Sequence, residues 1–291
     1  IIEGKLETKT LSPLRYPGGK SKAIKKIVEF IIPNIPKNKK VCSPFFGGGS
    51  MEIYLAKNGY AQVYGYDAFQ PLVDFWQVLL KDPSKLASQV QKKLELDEND
   101  FKNIQHDFKE NYKNYTKLKR AYLFYVLNRT SYSGTTLSGG MATDNKKRSW
   151  KRINPRFDKK SVQRLRQFSG RNITISKIDF RKSIPKHKSA FIYADPPYYI
   201  KKNKFYGNMG DMQFKQKDHE DLAKILKRRK HWILSYNNSK LVRELYSDFR
   251  IKKVRWAYGM TGTKSRGKQD SSELLVLSDD IKYDSVQKTL F

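Results

Sequence analysis

Two consecutive prolines, Pro196 and Pro197, constrain this chain more than any other feature. They follow Phe191-Ile192-Tyr193-Ala194, a short apolar run that reads as a buried strand. Proline has no N–H to give to a ladder, so the strand must end at Asp195 and open a loop at the carboxyl edge of its sheet. With φ fixed twice, that loop is stiff. It delivers a carboxylate, a backbone carbonyl and the ring of Tyr198 to one place, a set that can hold a small polar group while stacking on a planar ring. A strand end made of ordinary turn residues is the plain alternative.

A strand closed in this way needs parallel neighbours, and the sequence supplies them. Lys40-Val41-Cys42 leads into the glycine turn Gly47-Gly48-Gly49, and Ser50 to Lys57 reads as a helix with Ser50 as its cap. Gln62 to Tyr66 is a second strand, and Asp67 ends it eighteen residues past Gly49. Strand, glycine turn, helix, strand and acid open a doubly wound sheet, in which the turn approaches a ligand and the acid accepts from ribose hydroxyls. A plain tight turn is an equal reading of the glycines taken alone. The dinucleotide pattern fails at Glu52, and the phosphate-loop pattern around Gly19-Lys20-Ser21 fails at Leu14, which excludes a standard nucleotide-hydrolysis loop. Further strands are expected at Ile173 to Ile175, Trp232 to Ser235, Ile251 to Val254 and Leu274 to Leu277, and a helix at Ser21 to Ile32.

Between the second and third strands the pattern changes. Pro71 to Phe124 is lysine-rich and helical in spacing, while Arg129 to Pro155 is rich in Ser, Thr and Gly and reads as a hairpin or long loop. The formal charge of the 291 residues is +31. From Phe101 to Arg171 stand 18 Lys+Arg against 4 Asp+Glu, so nearly half the excess sits in a quarter of the chain. Clustering of this kind favours a polyanion-binding surface over a uniformly solvated coat. In Lys146 to Arg152, Trp150 stacks on a base or simply packs; both readings stand. The expected architecture is thus a discontinuous α/β catalytic domain, residues 1–75 and 173–291, interrupted by a basic, mainly helical insert at 76–172.

One cysteine, Cys42, excludes an intrachain disulfide framework, and with four scattered His no zinc or other metal site is expected. No run approaches the ~18 apolar residues of a membrane span, and no apolar signal segment opens the sequence. A cytoplasmic protein without membrane contact, in a bacterial cell or phage-infected host, is the expectation.

Taken in order, Tyr16-Pro-Gly-Gly-Lys20, Phe45-Phe-Gly-Gly-Gly-Ser50, Asp67, the basic insert, Asp179-Phe180, Asp195-Pro-Pro-Tyr198, Ser235-Tyr236-Asn237 and Ser272-Glu273-Leu274-Leu275 resemble the Dam-like DNA adenine-N6 methyltransferases, the D12 class of alpha-group amino-methyltransferases. The resemblance runs from about Ser12 to Leu277. It implies a Rossmann-like S-adenosylmethionine-dependent sheet with an inserted target-recognition domain. It implies that Phe46, Gly47, Gly49 and Ser50 line the methionine part of S-adenosylmethionine, that Asp67 holds the ribose, and that Asp179 and Phe180 meet the cofactor adenine. Tyr16 and Lys20 would lie over the cofactor, and Asp195 would border it. Catalysis would fall to Asp195, Pro196, Pro197 and Tyr198. Asn128, Arg129, Ser131, Ser133, Lys147 and Arg152 would contact duplex DNA, with base reading expected from Asn128, Arg129 or Arg152. A monomer is implied, and a cognate restriction endonuclease acting separately fits the same picture. The rivals are a ribosomal RNA adenine or guanine N-methyltransferase, a non-catalytic DNA-binding protein on the same fold, and a protein-glutamine methyltransferase, whose tetrapeptide prefers Asn where this chain has Asp195.

Overall fold

The structure is a computed structural model that describes residues 12–15, 20, 23–142, 157–199, 214–255 and 272–283. Its centre is a seven-stranded sheet. In chain order the strands are β1 (Lys40–Ser43), β2 (Gln62–Asp67), β3 (Ile173–Lys177), β4 (Phe191–Ala194), β5 (Trp232–Asn237), β6 (Arg250–Arg255) and β7 (Ser272–Leu277). Across the sheet the order is β3-β2-β1-β4-β5-β7-β6. β1 to β5 run parallel, and β7 is inserted antiparallel between β5 and β6. The chain leaves β1 toward β2 and β3 on one side and returns through β4 on the other, so the crevice at the carboxyl ends of β1 and β4 is the topological switch point.

β4, β5 and β7 are apolar on both faces because both faces are covered. Val41, Phe191, Tyr193, Ile233 and Leu275 point into one core, with helices α1 (Ile24–Ile31), α2 (Ser50–Lys57) and α3 (Gln70–Lys81). Cys42, Ile192, Leu234, Leu274 and Val276 point into the other, with α8 (Phe180–Lys186), α9 (Gln216–Lys227) and α10 (Lys240–Leu245). Cys42 is fully buried, and burial pushes its thiol up to about 12, so it is a core residue.

Between β2 and β3 lie α3, α4 (Pro83–Gln91), α5 (Glu98–Asn111), α6 (Lys117–Thr130) and α7 (Lys159–Arg166). Asp82, Asp97, Thr116 and Asp158 accept from backbone amides at the starts of α4, α5, α6 and α7, which stops each helix where the sequence places a short polar cap. The mainly helical character expected of this region is observed. A boundary at residue 76 falls inside α3, however, whose Trp76 and Leu79 are buried in the same core as β1 and α1. Asp74 on α3 pairs with Arg120 on α6 at 2.5 Å, tying the later helices to it.

Two local expectations are corrected. Gly49, in the left-handed region at φ 64°, is the N-cap of α2, and Ser50 occupies the first helical position. Asn128-Arg129-Thr130 are the last turn of α6 rather than loop. The hairpin expected beyond them exists as a loop closed by a single antiparallel bridge, Ser131 to Met141.

Candidate active site

The segments that follow β1 to β5 leave from the carboxyl edge that holds the switch point. After β1, the turn Pro44–Gly49 is pinned when Trp76 Nε1 donates to Gly47 O at 3.0 Å. Asp67, at the end of β2, accepts from Gly47 N at 3.1 Å and Phe69 N at 3.0 Å. Its carboxyl is raised by burial, against those amide bonds. Asp179, after β3, caps α8 by accepting from Arg181 N at 2.8 Å and pairs with the Arg181 guanidinium at 3.2 Å.

Asp195 follows β4, 23% exposed at its side chain. Lys20, only 3% exposed, donates from Nζ to Asp195 Oδ1 at 2.8 Å and to the Tyr198 hydroxyl at 2.6 Å. The same ammonium lies 3.4 Å from Glu273 Oε2, on β7. Burial raises the Asp195 carboxyl and Lys20 opposes the rise. Asn237, ending β5, donates to Tyr199 O at 3.0 Å and so fastens the loop beyond the prolines to the next strand. Behind the loop lies a buried histidine, His219, bonded through Nδ1 to the Tyr236 hydroxyl; burial pushes it down to about 4, so it is neutral.

A family model of the D12 class N6 adenine-specific DNA methyltransferases matches residues 16–260. The chain belongs to that family. No curated protein sequence matches it significantly. Membership in a DNA adenine methyltransferase family agrees with the mostly parallel Rossmann-like sheet.

Several residues expected in this methyltransferase's site stand elsewhere. Phe46 is 2% exposed, and its ring lies over Gly49 and Gly65, where a Cβ on either glycine would strike it. It is a core residue that holds the turn. Phe45, one position earlier, instead faces Phe180 with ring centroids at 5.4 Å, and Phe214 closes the group at 5.5 Å. The aromatic residue at the crevice is therefore Phe45, and the alternation of the two phenylalanines was the missed signal.

The expected DNA readers are the larger correction. Asn128 is 1% exposed and Arg129 7% exposed. Asn128 Nδ2 donates to Arg15 O at 2.7 Å and to Gly134 O at 3.1 Å, while its Oδ1 accepts from Arg15 N at 2.9 Å. Arg129 donates to Pro13 O at 3.5 Å. Ser131 is buried, and its hydroxyl accepts from Thr136 N at 2.9 Å. The hydrogen bonds described for these groups lie inside the protein and brace residues 12–15 against the loop. Gly134 is needed there: at φ 75° a Cβ would strike the Arg15 carbonyl. Gln105 supports the loop from α5 through Thr136 O at 2.8 Å and Gly139 O at 2.9 Å. What the brace displays is Tyr132, 66% exposed. Ser133 lies in the short 3₁₀ turn Tyr132–Gly134. Tyr16, Lys147 and Arg152 lie outside the described residues.

Two further candidates have no role assigned from the sequence, although Glu273 stands within the motif segment Ser272-Glu273-Leu274-Leu275. Glu273, 2% exposed, stands opposite Asn237 at the start of β7 and meets Lys20 there. Glu52 on α2, 3% exposed, accepts from Ser43 Oγ at 2.7 Å, and burial pushes its carboxyl up to about 7. Only a known β7 register could have separated Glu273 from a surface acid.

Proposed function

We propose that this protein transfers a methyl group from S-adenosylmethionine to N6 of an adenine in a short duplex DNA target. The observation that carries the reading is the Asp195 loop at the carboxyl edge, with Lys20 against its carboxylate and the glycine turn beside it.

The residues present fit the cofactor. The left-handed turn at Gly49 opens α2, and a helix start offers backbone amides to a carboxylate, with Gly47 and Ser50 beside it. Asp67 offers carboxylate oxygens to ribose hydroxyls; Asp179, with Phe180 and Phe45, offers a carboxylate and aromatic faces to an adenine. When bound, the cofactor supplies an electrophilic sulfonium methyl. Tyr16 would border it. Lys20 serves Asp195 rather than the cofactor, since its ammonium already engages two acids and Tyr198.

The adenine amine is a poor nucleophile because its lone pair is delocalised into the ring. The Asp195 carboxylate and the Pro196 carbonyl accept its two N–H bonds, draw the nitrogen toward tetrahedral geometry and place negative charge where positive charge develops. Pro197 stiffens the loop, and Tyr198 stacks on the ring. Reaching the amine requires flipping the base, at a few kcal/mol, of which stacking on Tyr198 returns roughly 1–3 kcal/mol. In this reading residues 76–172 form the target-recognition region, its lysines and arginines neutralise phosphates, and the exposed Tyr132 meets the bases. Lys147, Arg152 and Ser133 keep their proposed DNA contacts. The enzyme acts as a cytoplasmic monomer, and a cognate restriction endonuclease would act separately. Among the described residues no helix is long and apolar enough to cross a membrane.

Sequencing that detects modified bases in plasmid from cells expressing the protein, beside an Asp195→Ala control, tests the reading. N6-methyladenine in one short motif, absent from the control, is expected. Unmarked DNA with methyl-labelled ribosomal RNA would overturn the choice of polymer, and an equal mark from Asp195→Ala would overturn the mechanism.

A further inference from the structure

Beside Asp195 lies an excess of buried acid. Lys20 is a single buried ammonium, and Asp195 at 2.8 Å and Glu273 at 3.4 Å share it. Glu273 is held at its inner end by Ser235, whose hydroxyl lies 3.3 Å from Oε2. Its other oxygen, Oε1, is buried with no hydrogen-bond partner among the described residues. A carboxylate stabilised only for packing would have that oxygen satisfied, since an unpaired buried acceptor costs about 1–3 kcal/mol. The fold goes out of its way to place it: β7 alone is reversed in the sheet, and its reversal sets Glu273 against Asn237 at the carboxyl edge.

The electrostatics give this acid a task. Lys20 and Asp195 alone form a neutral pair, which does little for positive charge developing on an amine. With Glu273 ionised, the three groups carry a net charge of about −1, which acts strongly in a partly dry site. Resting on the function proposed above, we infer that Glu273 is a positioning residue for methyl transfer: as a carboxylate it takes up the charge of Lys20, so that Asp195 faces the target amine with its own charge uncancelled.

The groups facing Glu273 are Lys20, Asp195 and Tyr198, with Tyr193 and Ser235 from the adjoining strands and Glu52 beyond Asp195. Burial pushes its carboxyl up to about 7, Asp195 adds to the rise, and Lys20 opposes it. Its charge therefore switches near neutral pH. The transfer rate should rise with pH through about 7 as Glu273 loses its proton.

The test compares wild type, Glu273→Gln, Glu273→Asp and Glu52→Gln, measuring single-turnover methyl transfer to a target duplex from about pH 5.5 to about 9. Glu273→Gln should lose about 10- to 100-fold in rate and lose the rise near neutrality, with affinities for cofactor and duplex within about twofold of wild type. Glu273→Asp should recover part of the rate and keep a pH-dependent rise. Glu52→Gln should keep the rise in place. In the protein alone, infrared titration should show buried protonated carboxyls that disappear near neutrality, with the Glu273 component missing in Glu273→Gln and the Glu52 component missing in Glu52→Gln. A rise that survives in Glu273→Gln, or moves with Glu52→Gln, overturns the proposal. So does a loss of rate matched by equal loss of both affinities, which would make Glu273 a structural support. If wild type itself marks no duplex, the function reading fails and the proposal with it, whereas a marking enzyme indifferent to Glu273 sinks the proposal alone.

Discussion

Two buried polar clusters flank the first described residues of the chain, and they are built on opposite principles. Around Arg15, the Asn128 amide is answered on both sides by backbone, and the residues it touches are neutral peptide groups. Around Lys20, two carboxyls share one ammonium with Glu52 beyond them, Glu273 has an oxygen with no hydrogen-bond partner among the described residues, and burial raises every acid. In the first cluster the Asn128 amide is satisfied, so it fixes shape. The second is charged and under-compensated, so it holds free energy that folding alone would shed, a pattern that marks sites of chemistry.

That contrast is open to attack by substitution. The largest effect belongs to Asp195: Asp195→Asn should reduce methyl transfer by at least about a thousandfold while leaving the melting temperature equal or higher, and a stable variant with near-normal turnover would erase the distinction. Asn128→Ala should do the reverse. Losing three buried hydrogen bonds should destabilise the fold by about 2–4 kcal/mol in denaturant unfolding, and transfer should fall only as far as the folded fraction falls. Arg129→Ala should likewise act on stability rather than on discrimination between target and scrambled duplexes.

Glu52→Gln sharpens the comparison through pH. Its carboxyl is raised from 4.5 to about 7, so the folded state holds that proton over a range where the unfolded chain has released it. A raised carboxyl contributes stability below about 4.5 that is lost as pH climbs through about 7. Wild type and Glu52→Gln should therefore unfold alike in acid, and at pH about 8 the variant should be more stable by roughly 2–3 kcal/mol. Equal stability at both pH values would mean Glu52 is not strained. The smallest effect is reserved for Tyr132→Ala: unfolding within about 0.5 kcal/mol of wild type, with affinity for the target duplex reduced.

All seven strands were legible in the sequence, because apolar runs bounded by Gly, Pro and Asp leave little freedom in an α/β chain. Asp67, Asp179 and Asp195 stood out for the same reason, each lying at or within two residues of a strand end. What failed depended on direction rather than position. Phe45 and Phe46 differ only in which face of the turn each takes. Asn128 and Arg129 look like solvent-facing readers, yet Ala121 to Leu127 is apolar nearly all round, the pattern of a helix buried on every side, and Asn128, Arg129 and Thr130 went in with it. Glu273 was hidden because its meaning comes from a strand pairing between residues far apart in sequence.

That pairing governs how the protein can be made. Lys20 precedes β1 and Glu273 stands on β7, so every strand of the sheet must be synthesised before the crevice gains its final wall. Until β7 arrives, β5 exposes an unpaired edge and β6 has no strand beside it in this sheet. Such edges invite pairing with other chains, which makes the interval before β7 docks the stage of biosynthesis most exposed to aggregation and most dependent on chaperones.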